Sequence, residues 1–311
     1  MQMENVQKIV AIVGPTATGK TGLGVAIAKK YDGEIVSADS RQVFRGLDIG
    51  TGKDLSEYGN IKYHLIDICD PGEEFSMFDW LSRAREVIEG IFARGKLPVI
   101  VGGTGLYVQA LIEGFEIKDH PSRPRLEPRS EESRIKNQAK ISREQLNSMS
   151  LEELQKIYYG LRTNDHGLDV QNPRRLIRAI EKAQEGTAPT KIKPDFVVLQ
   201  IAIDYPREEL YSRIDKRVDE WFAEGFYEEV SNLMEKGVSL SWFEKIGLEY
   251  KILANYIDKD QKDFEVIKQN MKWKIHQYAR RQLTWFRRFS EIIWAKNKND
   301  VFGVIDDFLK E

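Results

Sequence analysis

Three stretches of the sequence set reactive side chains beside glycines. The first is Gly14-Pro15-Thr16-Ala17-Thr18-Gly19-Lys20-Thr21, which fits G-x-x-x-x-G-K-[ST] at every fixed position. Such a loop turns backbone amides inward, so they approach phosphate oxygens closely, and the next helix adds unpaired N–H groups and a positive dipole end. Lys20 adds a point charge, and the Thr21 hydroxyl suits Mg2+. The pattern implies pyrophosphate binding but leaves the reaction open. The second stretch, ADSRQVFRGLDIGTGK from Ala38 to Lys53, opens on Asp39, the first carboxylate after an apolar run. That carboxylate suits a Mg2+ ligand, a helix cap or a general base. The third, VGGTGLY from Val101 to Tyr107, reads either as a tight turn before a helix or as backbone lying against a substrate. LPVIVGG carries no aspartate of the kind that orients magnesium in many phosphate-loop ATPases, and Asp67 in HLIDI is a candidate substitute.

The elements needed to position these groups follow from hydrophobic patterning. Residues 9–13 read as a buried strand, and Gly22 to Tyr31 as the helix after the loop. EIVSA forms a second strand ending at Asp39, and YHLIDI, Tyr63 to Ile68, a third apolar stretch. A helix from Phe78 to Arg94 precedes the strand LPVIV. Strands alternating with helices predict an α/β fold: a parallel sheet of the P-loop NTPase kind, flanked by helices. From His120 to Lys140 the sequence turns rich in proline and charge, and helical patterns follow to about Gly186. Strand patterning returns in FVVLQIAID. The expected organisation is a core of residues 1–115 and 187–311, with C-terminal helices, interrupted by a mostly helical insertion at 116–186.

Composition narrows the setting. A chain of 311 residues with net charge −2 is not globally a polyanion binder. Yet Met271 to Phe289 holds six Lys or Arg and no acid, interleaved with Trp273, Tyr278, Trp285 and Phe286. Phosphate neutralisation with base stacking would suit RNA, and an amphipathic helix with a solvated charged face would look similar. Most of these aromatics are expected in the core, with the arginines facing RNA. The sequence has no apolar run long enough to span a membrane and no signal-peptide layout. The single cysteine, Cys69, does not cluster with the four histidines. A cytoplasmic monomer without a zinc site is expected.

The order GPTATGKT, ADSRQVFRGLDIGTGK, HLIDI, VGGTGLY, RRLIRAIE, RIDKRVDEWFAEGFYEEV, KIGLEYK, YARRQLTWFRR resembles the tRNA dimethylallyltransferase family in its bacterial form, over nearly the whole chain. The resemblance implies transfer of a dimethylallyl group from its diphosphate to N6 of the adenosine 3′-adjacent to the anticodon, with release of pyrophosphate. The phosphate cradle would then hold the leaving group, through Gly14, Pro15, Thr16, Ala17, Thr18, Gly19, Lys20 and Thr21, with Mg2+ on Thr21. Asp39 stands at the family's base position. Lys20, Thr21 and Arg213 are implied in catalysis, with Arg213 preferred to Arg217 for the diphosphate. A surface ion pair of either arginine with Glu208, Glu209 or Asp215 is the competing expectation. The tRNA anticodon stem-loop would be met by Asp39, Ser40, Arg41, Gln42, Thr104, Gln171, Arg174, Arg175, Arg178 and Arg281.

The chain departs from the family pattern in places. Arg41 stands where many relatives carry methionine, Phe44 replaces tyrosine, and KIGLEYK stands for a GYKE-type motif. Contacts of Arg123 and Arg125 are not implied. Three readings compete with the resemblance: a P-loop small-molecule kinase or ATPase, an RNA-binding protein that keeps a nucleotide switch, and an isopentenyltransferase acting on free adenine nucleotides.

Overall fold

The computed structural model describes residues 6–115, 141–161, 169–185, 194–261 and 263–311. The stretch 120–140, with Arg123 and Arg125, lies outside them. The chain divides into two compact units, Met1–Gly114 with Lys193–Glu311, and Phe115–Ile192.

The first unit is built on strands β1 (Gln7–Val13), β2 (Gly33–Ser37), β3 (Tyr63–His64), β4 (Leu97–Val101), β5 (Phe196–Ile203) and β6 (Ile292–Ala295). They form one sheet in the order β3-β2-β4-β1-β5-β6, and every pairing is parallel. In the middle, Val10 faces Val99 on one side and Leu199 on the other. Strands covered on both faces need unbroken apolar runs, and Ile9 to Val13 are fully buried. Helix α1 (Lys20–Lys30) follows β1, the short α2 (Leu55–Tyr58) precedes β3, α3 (Met77–Ala93) precedes β4, and α4 (Gly105–Ile112) follows β4. A capping box between Ser76 and Asp79 fixes the start of α3, which buries Trp80, Leu81, Ala84, Ile88 and Ile91.

The structure trims one apolar stretch and one strand. YHLIDI supplies only Tyr63 and His64 to the sheet, because Leu65 (φ 63°) and Asp67 (φ 55°) adopt left-handed conformations that break the ladder. β2 ends at Ser37, although the Ala38 N–H still donates to the Val101 carbonyl at 2.8 Å and keeps Asp39 beside the end of β4.

The second unit contains α5 (Arg143–Ser148), α6 (Leu151–Gly160) and α7 (Pro173–Glu185). Capping boxes start α5, through Ser142 and Gln145, and α6, through Ser150 and Glu153. The apolar faces meet in a small core of Leu146, Leu154, Tyr158, Leu176, Ile177 and Ile180.

The rest of the first unit is helical: α8 (Arg207–Ala223), α9 (Phe226–Glu235), α10 (Leu240–Ile246), α11 (Leu248–Asp258), α12 (Phe264–Phe286) and, after β6, α13 (Lys298–Lys310). Helices α8 to α12 share a core around Val218, Phe226, Phe243, Tyr250 and Met271, into which Phe44 and Leu47 of the β2–α2 segment insert. That insertion anchors the segment carrying Asp39. Among the described residues, no helix is long and apolar enough to cross a membrane.

Candidate active site

The carboxyl ends of β1, β2 and β4 open onto one cleft of about 230 Å³. Open α/β sheets place ligands at this edge, where strand order reverses. Thr16, Ala17, Gly19, Lys20 and Thr21 line one wall, and Asp39 lines the same cleft. Gly14, Pro15 and Thr18 do not reach it and instead shape the turn. Thr18 is buried, with its hydroxyl donating to the Pro15 carbonyl at 3.0 Å, and Pro15 has no N–H to offer. Gly19 caps α1 at φ 72°, a left-handed conformation that favours glycine. Ala17 shares that conformation at φ 62° without being glycine. Its carbonyl accepts from Arg213 Nε at 2.7 Å, which helps hold the unusual backbone in place.

Lys20 Nζ donates to the Pro15 carbonyl at 2.5 Å. Burial, and then the nearby Arg217 guanidinium, bring its ammonium down to about 7, with Asp39 opposing the shift and Arg41 adding to it. Arg217, not Arg213, lines the cleft. It lies over the Trp221 ring, 5.4 Å from the centroid, and 3.7 Å from Asp54. A Cβ at position 52 would fall 1.5 Å from its Nη2, so Gly52 leaves the room it occupies. Arg213 stands against the back of the loop instead: its Nε donates to the Ala17 carbonyl, its guanidinium lies over Tyr205, and its Nη2 would lie 3.4 Å from a Cβ on Gly19.

Asp39 is held from two sides. Its Oδ1 accepts the Arg41 main-chain N–H at 2.9 Å, and the next residue, Ser40, donates its N–H to Thr104 Oγ1 at 3.2 Å. The glycine pair before Thr104 has a packing reason: a Cβ on Gly102 would lie 2.2 Å from the Ala38 carbonyl oxygen. Gln42 is buried and committed internally. It accepts from Ser37 Oγ at 2.8 Å and donates to the Gly52 carbonyl at 3.1 Å, so its amide braces the cleft floor instead of reaching out for RNA. Arg41 is likewise committed, through Nη1, to Glu249 Oε1. Burial works against its charge, but Glu249 and then Asp39 more than offset that and raise its pKa. Asp67 does not take the magnesium-orienting place. It bonds the buried Lys53 ammonium, which also donates to Asp48 Oδ1 at 2.6 Å and the Phe44 carbonyl at 2.8 Å.

Two further residues of the cleft escaped the sequence reading. Gln282, on α12, accepts the Thr16 N–H at 3.0 Å and donates to the Gly103 carbonyl at 3.1 Å, tying the phosphate loop to the third glycine run. This removes the Thr16 amide from the set available to phosphate. Glu249, at the start of α11, had no signal beyond its place in KIGLEYK.

The remaining expected RNA contacts are dispersed. In the second unit Gln171, Arg174 and Arg175 are exposed and Arg178 is half-buried. Arg175 pairs with Asp169 at 3.4 Å, and Arg178 with Glu181 at 3.2 Å. Arg281 lies on the exposed face of α12, beside Arg280, Arg288 and the half-buried Trp285. The aromatics of this stretch are less internal than expected. Phe286 is buried and Tyr278 half-buried, but Trp273 is 54% exposed. Lys272 turns toward Asp219 at 2.7 Å and Arg287 toward Asp204 at 3.4 Å, so only part of the basic stretch faces outward unopposed.

Comparison with known proteins agrees with this geometry. Residues 42–289 match the IPP transferase family model, and residues 7–60 the isopentenyl transferase model. The chain is 40% identical to tRNA dimethylallyltransferase 2 of Syntrophotalea carbinolica, over 94% of this chain and 95% of that protein. It is 41% identical to tRNA dimethylallyltransferase 2 of Treponema denticola, over 91% and 92%. Among solved structures, the tRNA isopentenylpyrophosphate transferase of Bacillus halodurans superposes with a TM-score of 0.69 at 33% identity, covering 98% of this chain and 97% of that one. A eukaryotic dimethylallyltransferase acting on tRNA gives 0.70 at 26% identity, covering 90% and 69%. A strand-end cleft bearing a phosphate loop and a facing aspartate, with these matches along almost all its length, places the chain in the IPP transferase family of tRNA dimethylallyltransferases.

Proposed function

We propose that the protein transfers a dimethylallyl group from dimethylallyl diphosphate to N6 of the adenosine 3′-adjacent to the anticodon of tRNA. The observation that carries this reading is the meeting of Lys20, on the phosphate loop, and Asp39, at the end of β2, in one cleft. In the transfer, the allylic C–O bond breaks and the N6–C bond forms. The amine proton passes to Asp39, and the electron pair leaves with pyrophosphate. Charge grows on the diphosphate as the bond breaks, so a preorganised cation there stabilises the transition state more than the ground state. Lys20 and Arg217 supply that charge. The exocyclic amine has its lone pair delocalised into the ring and needs a base as it attacks, the task of Asp39. The adenine must leave its stack to enter, which costs a few kcal/mol and least in an unpaired loop.

Oxygen donors in the cleft fit Mg2+: the Thr21 hydroxyl, with Asp54 and Glu57 lining the same space. The Glu57 carboxyl is raised by burial and then by the like charge of Asp54, a setting that a cation would relieve. Bound there, Mg2+ would neutralise diphosphate oxygens. Each unit carries exposed basic residues, Arg174 on α7 and Arg281 on α12, and these support tRNA as the acceptor, since a free nucleotide needs neither.

The test incubates the protein with Mg2+, dimethylallyl diphosphate and either total tRNA or AMP, then digests and weighs the adenosines. A gain of one C5 unit on a tRNA adenosine is expected. A gain on AMP alone, phosphoryl transfer, or no change in mass would reject the proposal in favour of one of its competitors.

A further inference from the structure

One guanidinium in the cleft stands between two carboxylates. Arg41 gives Nη1 to Glu249 Oε1, while its Nε lies 3.7 Å from Asp39 Oδ1. The first is a hydrogen-bonded pair. The second is within ion-pair range but longer than a hydrogen bond. All three side chains are largely withdrawn from water, with 14% of Arg41, 4% of Glu249 and 18% of Asp39 exposed. Solvent therefore offers the guanidinium little alternative, and its position depends on which carboxylate holds it. Other charges nearby do not compete: Lys20 and Arg217, lining the same cleft, are cations, and the Tyr278 phenol is pushed upward by burial and stays neutral.

An arginine fork closes readily on a carboxylate with two parallel hydrogen bonds. If that fork closed on Asp39, it would occupy the lone pairs that must receive the amine proton and would make the carboxylate a weaker base. In the structure, Asp39 instead keeps a single main-chain donor, the Arg41 N–H at 2.9 Å on Oδ1, which leaves Oδ2 for the substrate. We propose that Glu249 is a positioning residue that holds the Arg41 guanidinium off Asp39, keeping the base available. The inference rests on the reading of Asp39 as the base. It adds a role for a buried acid 210 residues further along the chain.

The proposal requires rescue: removing Glu249 should hurt, and also removing the guanidinium it restrains should cure. In Glu249→Gln, Arg41 turns to Asp39 and kcat falls ~50-fold, somewhat less than the whole worth of a general base, while KM for both substrates stays within ~3-fold. In Arg41→Met/Glu249→Gln the main-chain donor remains, and kcat returns to within ~5-fold of wild type, a coupling of opposite sign to a lost brace. A double variant as slow as Glu249→Gln would overturn the proposal. So would an unchanged kcat in Glu249→Gln, or a change confined to KM. Should Glu249→Gln fail to fold, Glu249→Asp takes its place, because a carboxylate drawn back by one methylene loosens its hold on Arg41: kcat should fall while KM for both substrates holds, and an unchanged kcat or a change confined to KM defeats the proposal. Asp39→Asn, assayed in parallel, separates the two levels. Retained turnover there removes the base reading itself, whereas lost turnover there with no rescue in the double variant removes only the role of Glu249.

Discussion

The two walls of the cleft are made in different ways. The phosphate wall comes from one run of eight residues, Gly14 to Thr21, whose own turn and following helix create the binding surface. The facing wall is assembled from a distance: Asp39, Arg41 and Gly52 on one segment, Arg217 on α8, Glu249 on α11 and Gln282 on α12. A surface built from main-chain amides of consecutive residues carries its function in its local spacing. A surface built from side-chain pairs across the fold functions only as well as each pair is held. Single substitutions should therefore act on the first wall mainly through charge, and on the second mainly through position.

The largest effect expected is on the facing wall. Asp39→Asn keeps the shape and the Arg41 N–H contact but cannot accept the proton, so kcat should fall by ~10³, in the range typical for loss of a general base. tRNA affinity, measured by filter binding, should change little. Retention of more than a tenth of the turnover would move the base elsewhere.

On the phosphate wall, Lys20→Ala should lower kcat/KM for dimethylallyl diphosphate by ~10², the order of one preorganised donor to a leaving oxyanion. A smaller effect at the same residue follows from its lowered pKa of about 7. Diphosphate favours the ammonium, so its binding raises that pKa. Below pH 7 the lysine already carries its proton and affinity is flat in this respect. Above it, binding must take up a proton, and Kd for dimethylallyl diphosphate should rise ~10-fold per pH unit from about 7 until the pKa of the bound state is reached. Titration calorimetry between pH 6 and 9 measures the slope, and Lys20→Arg should flatten it because the guanidinium stays charged. An unchanged slope in Lys20→Arg would assign the proton to another group.

The same contrast explains what the sequence made legible. The sheet, the loop and the placing of Asp39 at a strand end were readable because alternation of strand and helix, glycine positions and the first acid after an apolar run are local signals. YHLIDI has the apolar content of a strand, but Leu65 and Asp67 are left-handed, and the Asp67 and Ile68 N–H groups turn to the Gln42 and Val43 carbonyls instead of to the sheet. Arg213 and Arg217 share one helix face by spacing, so the sequence could not say which reaches the cleft. Their neighbours decide it: Ala17 takes one, and the bare backbone at Gly52 admits the other. Trp273 was misjudged since an amphipathic pattern on a long helix does not reveal which partner covers its flank.

The smallest effect should come from the residue that joins the two walls. Gln282 is buried, and its amide spans from the Thr16 N–H to the Gly103 carbonyl. Replacing it by leucine keeps the volume and leaves both main-chain groups without that partner. Two such groups cost roughly 1–3 kcal/mol each when sealed from water, and less here because the cleft admits water to them. The expected result is a destabilisation of about 1–2 kcal/mol by urea titration, together with a ~5-fold rise in KM for dimethylallyl diphosphate. The KM rise is the informative part. If Gln282 only stabilised the fold, urea titration would shift and the assay at 25 °C would not. If it sets the spacing between the loop and the GGT turn, the diphosphate should bind less well even when the protein is fully folded. kcat should change by less than the change in KM, because the loop's charges stay in place once the substrate has entered.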